Sequence, residues 1–134
     1  MSENRSIDDI KEAKLEELRE SADASAGGSP SEPVHIGSPG DLSETVDQND
    51  VVLVDFYADW CGPCKMLEPT VEELAAETEA AVAKVDVDRN QQLAGQYGVQ
   101  GVPTLLLFAD GEPVEKLVGV QSKDDLAELI GAYS

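Results

Sequence analysis

Val51-Val-Leu-Val-Asp-Phe-Tyr-Ala-Asp-Trp-Cys-Gly-Pro-Cys-Lys-Met66 runs from a nearly continuous apolar stretch into two cysteines two residues apart. Val51–Tyr57 is rich in β-branched residues, the composition of a strand covered on both faces of a sheet. Beyond the cysteines, Met66, Leu67, Thr70, Val71, Leu74 and Ala75 recur at helical spacing. A buried strand therefore hands over to a helix, with Cys61-Gly-Pro-Cys64 at the joint. Pro69 lies inside that helix, where its missing N–H predicts a kink.

The pattern alternates outward from this centre. Ser38-Pro39-Gly40-Asp41 places Ser, Pro and Asp where an N-cap, N1 and N3 would sit, so a helix is predicted before the strand. After the central helix, Ala81–Val87 reads as a second strand and Asn90–Tyr97 as a short helix closed by Gly98. Thr104–Phe108 reads as a third strand, joined to Val114–Val118 through Ala109-Asp-Gly-Glu-Pro113, whose Asp-Gly pair signals a turn. Ser122-Lys-Asp-Asp125 opens a last helix with a buried face of Leu126, Leu129, Ile130 and Tyr133. Helix, strand, helix, strand, helix, then a hairpin and a final helix imply an α/β fold: a mixed sheet with helices on both faces.

The chain has 134 residues, enough for one domain and a tail. Residues 1–35 read as an N-terminal extension: Ile7, Ile10, Leu15 and Leu18 on one side of a short helix, then a small, polar linker from Ser21 to Pro33. The compact domain is expected over 36–134, and the extension reads as a solvated tail, with a docking helix as the alternative. Twenty-eight acids against nine bases give a net charge of −19, and no basic cluster interrupts the excess. Such a chain repels nucleic acid and anionic lipid. The first twenty residues hold seven acids and no apolar run of signal-peptide length, and no stretch would span a bilayer. A cytoplasmic protein is expected, with no nucleic-acid or membrane partner. In that compartment a C-x-x-C pair points to redox chemistry or metal.

A thiolate at a helix N-terminus faces unpaired N–H groups and the positive end of the helix dipole, which favours ionised sulfur. Cys61 is thus the expected attacking thiolate, and Cys64, facing more inward, the resolving thiol. Lowering a thiol pKa from about 8.5 to about 7 yields about sixteenfold more thiolate at pH 7. Falling nucleophilicity removes about fivefold of that, leaving a net factor of about three. Access, orientation and a second thiol held ready must supply the rest. A structural zinc site needs four ligands, and two cysteines with the lone His35 are too few, so no metal is expected. Asp55 is the one acid in the apolar run, and burial raises a lone carboxylate's pKa towards neutrality, suiting it to hold or pass a proton. Lys84 alternates onto the side of its strand shared by Asp86 and Asp88, which by itself leaves a solvated lysine equally open.

Val54–Met66 with its Trp-Cys-Gly-Pro-Cys core, the strand carrying Ala83-Lys84-Val85-Asp86, Gly101-Val-Pro-Thr104 and Gly119 together resemble the thioredoxin family. The likeness covers 36–134; Tyr57 and Asp59 depart from the commonest family choices but keep their character, and the extension has no counterpart. The resemblance implies the thioredoxin fold and a reductase of protein disulfides working through a reversible Cys61–Cys64 disulfide. It implies that Asp55 takes the proton from Cys64 and that Lys84 lies near Asp55 and tunes it. It implies a cis Pro103, a Val102 backbone that pairs with an extended substrate segment, and a docking surface completed by Trp60, Gly62, Pro63, Gly101 and Gly119. Thioredoxin reductase and disulfide-containing proteins are the implied partners of a monomer with no bound cofactor. A disulfide isomerase or oxidase, or a binding module indifferent to its thiols, are the competing readings.

Nineteen acids and five bases fall in residues 36–134, fourteen net negative charges. This excess reads as adaptation to high salt, where screening shortens to about 3 Å at 1 M and the repulsion largely disappears.

Overall fold

A computed structural model describes residues 30–134. The expected helix bearing Ile7, Ile10, Leu15 and Leu18, and most of the expected linker, lie outside the described residues. Nine elements follow: β1 (Val34–His35), α1 (Pro39–Gln48), β2 (Val51–Tyr57), α2 (Gly62–Glu77), β3 (Ala81–Asp86), α3 (Gln91–Gln96), β4 (Thr104–Ala109), β5 (Glu112–Val118) and α4 (Lys123–Tyr133). They form one five-stranded sheet in the order β1-β3-β2-β4-β5. β1, β3 and β2 run parallel, whereas β4 is antiparallel to β2 and β5 to β4. The sheet is mixed, as the alternation predicts.

Six of the seven residues of β2 are buried, because β2 is the central strand with a helical layer on each face. Val52, Val54 and Phe56 point to one side, where they meet Leu42 and Val46 of α1 and Leu93 of α3. Val51 and Leu53 point to the other, against Leu67, Val71 and Leu74 of α2 and Leu126 and Ile130 of α4. The strand's period of two and the helix's period of 3.6 thus close two cores across one sheet. Asp55 belongs to the α2 side by this alternation.

Local chemistry fixes the helix starts. Ser38 caps α1, its Oγ accepting the Asp41 N–H at 3.2 Å, while Asp41 Oδ2 accepts the Gly37 N–H at 3.0 Å. Ser122 caps α4 in the same way through the Asp125 N–H at 3.1 Å. α2 runs through Pro69 as one continuous helix. β1 is the element that the sequence pattern missed. It starts at Val34, ahead of the boundary suggested at residue 36, and it places the exposed His35 in a strand opposite Lys84 rather than in the extension.

The β4–β5 hairpin turns through Asp110 and Gly111, with φ of 53° and 87°. Two positive φ values in a two-residue loop match the twist of the flanking strands, which is why Asp-Gly stands there. Nothing lies within 4 Å of where a Gly111 Cβ would project, so only backbone conformation constrains the site. Gly111→Ala is expected to cost about 1–2 kcal/mol, the penalty of placing an L-residue in the left-handed region. A denaturant midpoint unchanged from the parent would contradict that reading.

Candidate functional site

β2 ends at Tyr57, and the chain crosses Ala58–Cys61 before entering α2. Cys61 is the N-cap of that helix, with extended backbone angles (φ −91°, ψ 110°). Its Sγ accepts the Cys64 N–H at 3.2 Å, so a sulfur takes the place that a Ser or Asp oxygen usually fills at a helix start. Cys61 and Cys64 are joined as a disulfide with Cα atoms 5.3 Å apart. Both are 4% exposed, so burial does not separate an outer from an inner sulfur. Their surroundings do. Cys61 Sγ holds the helix N-terminus and lies 3.7 Å from the Val102 carbonyl oxygen.

Val102 precedes Pro103 across a cis peptide bond, at the entrance to β4. The Gly119 N–H donates to the Pro103 carbonyl at 2.8 Å, and Gly119 has a φ of 92° that only glycine adopts without strain. That bond ties the end of β5 to the loop facing the disulfide. Gly62 and Gly101 have open space where a Cβ would project, so internal packing does not require glycine at either. Trp60 is 71% exposed, and its Nε1 donates to Asp88 Oδ2 at 2.9 Å. A shallow cleft of about 130 Å³ opens beside it, lined by Trp60, Val87, Val99, Gln100, Gly101 and Val102. Tyr57, Val87 and Val102 pack against the buried cluster of Ala58 and the two cysteines. Gly62 and Pro63 are exposed at the start of α2.

Asp55 is fully buried, and neither carboxylate oxygen has a hydrogen-bond partner among the described residues. Burial pushes its carboxyl up to about 6; the Lys84 charge opposes the rise and the Glu68 charge adds to it. Lys84 is the register partner of Asp55 on β3 and is itself only 7% exposed. α2 covers this end of the sheet, which removes the solvated position that alternation alone left open. The direct contacts of Lys84 Nζ are Glu68 Oε2 at 3.3 Å and the Tyr57 ring, whose centroid is 4.5 Å away. Glu68 and Asp88 were not singled out by the sequence. Glu68 does carry a signal: it lies one helical turn beyond Cys64, flanked by the buried Leu67 and Val71. Among the described residues no group of three or more His, Cys, Asp or Glu side chains could hold a metal ion.

Residues 34–132 match the family model described as Thioredoxin. The chain is 53% identical over 88 residues to a thioredoxin of Staphylococcus aureus, spanning 64% of this chain and 85% of that protein. Among solved structures, a thioredoxin variant from Halobacterium salinarum NRC-1 superposes with a TM-score of 0.78 at 60% identity, covering 81% of this chain and 96% of that one. A Schistosoma mansoni thioredoxin superposes with a TM-score of 0.72 at 36% identity, covering 80% and 100%.

Raising a carboxyl pKa on folding means that the native state holds its proton more tightly. The stability it contributes is complete below about pH 4 and is lost as pH rises through about 6. Asp55→Asn removes this loss. The variant's stability gain over the parent is therefore expected to be larger at pH 8 than at pH 5 by about 1.4 kcal/mol, read from denaturant unfolding of the oxidised protein. A gain independent of pH would show that Asp55 ionises in the folded chain as it does in water.

Proposed function

The chain belongs to the thioredoxin family and is a thiol–disulfide oxidoreductase that reduces disulfides in protein substrates, and from that premise we propose the part each site residue plays. In the dithiol form, the Cys61 thiolate attacks one sulfur of the substrate disulfide. The substrate S–S bond breaks, its second sulfur leaves as a thiolate that takes up a proton, and Cys61 is left in a mixed disulfide. Asp55 accepts the Cys64 proton, through water. The Cys64 thiolate then attacks Cys61 Sγ, expels the remaining substrate thiolate and forms the Cys61–Cys64 bond. Two electrons pass to the substrate, and its two thiolates are protonated.

The observation that carries this assignment is the position of Cys61 as N-cap of α2, its sulfur receiving a backbone N–H. A donor to sulfur and the positive end of the helix favour the thiolate. Asp55 suits the proton step because burial brings its carboxyl to about 6, near the pH at which it must both take and release a proton. Lys84 tunes Asp55 from the neighbouring strand.

Trp60, Gly62, Pro63, Gly101, Val102, Pro103 and Gly119 form the docking surface. The exposed indole and the apolar cleft beside it offer a contact for side chains, while the Val102 backbone pairs with an extended substrate segment next to the disulfide. Open space at Gly62 and Gly101 supports this reading, since it leaves a partner's backbone room to come close. Thioredoxin reductase returns the disulfide to the dithiol, the pair itself carries the electrons with no bound cofactor, and the protein acts as a cytoplasmic monomer. No described helix is long and apolar enough to cross a membrane, in keeping with that location. Catalysis resides in the domain expected over 36–134 together with the edge strand β1, and the extension ahead of Val34 is dispensable for the chemistry. Sixteen of the nineteen acids in that domain are exposed, which supports a surface adapted to high salt.

The Cys61–Cys64 couple, equilibrated against a thiol buffer in molar KCl, is expected near −270 mV, the value characteristic of thioredoxins. A potential tens of millivolts higher, towards about −180 to −120 mV, would mark an isomerase or oxidant instead. Reductase activity and unfolding midpoint are both expected to rise with KCl into the molar range, and a maximum in dilute buffer would refute salt adaptation.

A further inference from the structure

The buried cation of the site does not sit on the buried anion. Lys84 and Asp55 are register partners on adjacent strands and face α2 together, yet the nearest anion to Lys84 Nζ is Glu68 Oε2, at 3.3 Å. Asp55 keeps both oxygens without a hydrogen-bond partner among the described residues. Glu68 can hold the lysine because it stands on α2 one turn beyond Cys64, between Leu67 and Val71, which anchor the helix on the sheet. Its side chain is half exposed while Lys84 is 7% exposed, so the pair reaches from the interior to the helix surface. There it borders a cleft shared with Glu32, His35 and Glu72.

We propose that Glu68 is a positioning residue: by drawing the Lys84 ammonium towards α2 it withholds an ionic partner from Asp55, and so sets the proton affinity of that carboxyl. The proposal rests on the reading of Asp55 as the proton acceptor for Cys64. Two effects of the same sign follow from one side chain. Glu68 brings a negative charge towards the Asp55 carboxylate and occupies the positive charge that would otherwise stabilise it. The direction in which each charge moves Asp55, Lys84 downward and Glu68 upward, agrees with this geometry.

The other groups around Asp55 leave the task to this pair. Tyr57, on the same strand, is held above its ordinary value first by burial and then by Asp86, so its phenol stays neutral between pH 5 and 9. The β4 neighbour of Asp55 is Leu105, and α4 adds the apolar Leu126 and Ile130. From α2 comes Glu68, and from β3 comes Lys84.

The experiment uses the full chain in molar KCl, with the Asp55 carboxyl titrated by carbon NMR and insulin disulfide reduction followed across pH. In Glu68→Gln the Asp55 midpoint is expected to fall by about half a unit or more, and the acid limb of the rate profile to move down with it. At pH values on that limb this amounts to about a threefold faster reaction. Lys84→Gln should move the midpoint upward. In the double variant Glu68→Gln, Lys84→Gln, the effect of Glu68 should shrink to less than half, because it acts through Lys84. Glu72→Gln, on the same helix and cleft, should leave the midpoint in place. An Asp55 midpoint unmoved in Glu68→Gln, or moved as far by Glu72→Gln, overturns the proposal. A midpoint that moves while the rate profile stays fixed upholds the hold of Glu68 on Asp55 and overturns the proton role of Asp55.

Discussion

Six of the seven residues of β2 are buried away from bulk solvent. The strand has a neighbour on each edge and a helical layer on each face, so its backbone groups are committed to β3 and β4 and its side chains to two cores. Placing a carboxylic acid on such a strand costs free energy unless the acid is neutral or paired, and Asp55 has no hydrogen-bond partner among the described residues. The same confinement holds the end of the strand rigidly and delivers Ala58–Cys61 to the N-terminus of α2. The buried carboxyl and the sulfur site are thus consecutive products of one buried strand.

The helix that begins there is fixed by Leu67, Val71 and Leu74, each with no exposed surface. An anchored helix keeps its first N–H groups aimed at Cys61 Sγ through changes at the surface, as a frayed one would not. Since ionisation alone contributes a net factor of only about three, this fixed geometry supplies most of what distinguishes the pair from two free thiols. The rim around the pair is different in kind: Trp60 stands clear of the core, and Gly62 and Gly101 have open space where a Cβ would project.

Much of this was legible in the residues. β2 announced itself by its apolar run, α2 by its periodicity, and α1 and α4 by serine caps whose chemistry is local. Cys61 and Cys64 were legible because their spacing and their place at a strand–helix joint carry the chemistry. β1 was not: two residues cannot show alternation, and Val34–His35 is a strand only because β3 lies beside it. The fate of Lys84 was equally hidden. Alternation grouped Lys84 with Asp86 and Asp88, yet β3 ends at Asp86: the first two are buried on the strand, and Asp88 is exposed in the turn that follows. Glu68 sits where helical periodicity marks the margin between core and solvent, and its partner is sixteen residues away. The cis bond before Pro103 followed from family likeness alone, since no local pattern in Gly101-Val-Pro-Thr104 distinguishes cis from trans.

The two outer strands bear on how the protein avoids sticking to itself. An open sheet edge is a template for aggregation. Here one edge, β1, is only two residues long. The other, β5, carries Pro113, which lacks an N–H, and the charged Glu112, Glu115 and Lys116. Its register also slips between Phe108 and Leu107, so that Val114 bulges out of the ladder. Neither edge is a good template for another copy of the chain or for an unfolded neighbour. A protein that reduces disulfides in other proteins thus has two sheet margins that are poor templates for their extended segments, which keeps contact with substrates from sliding into polymerisation.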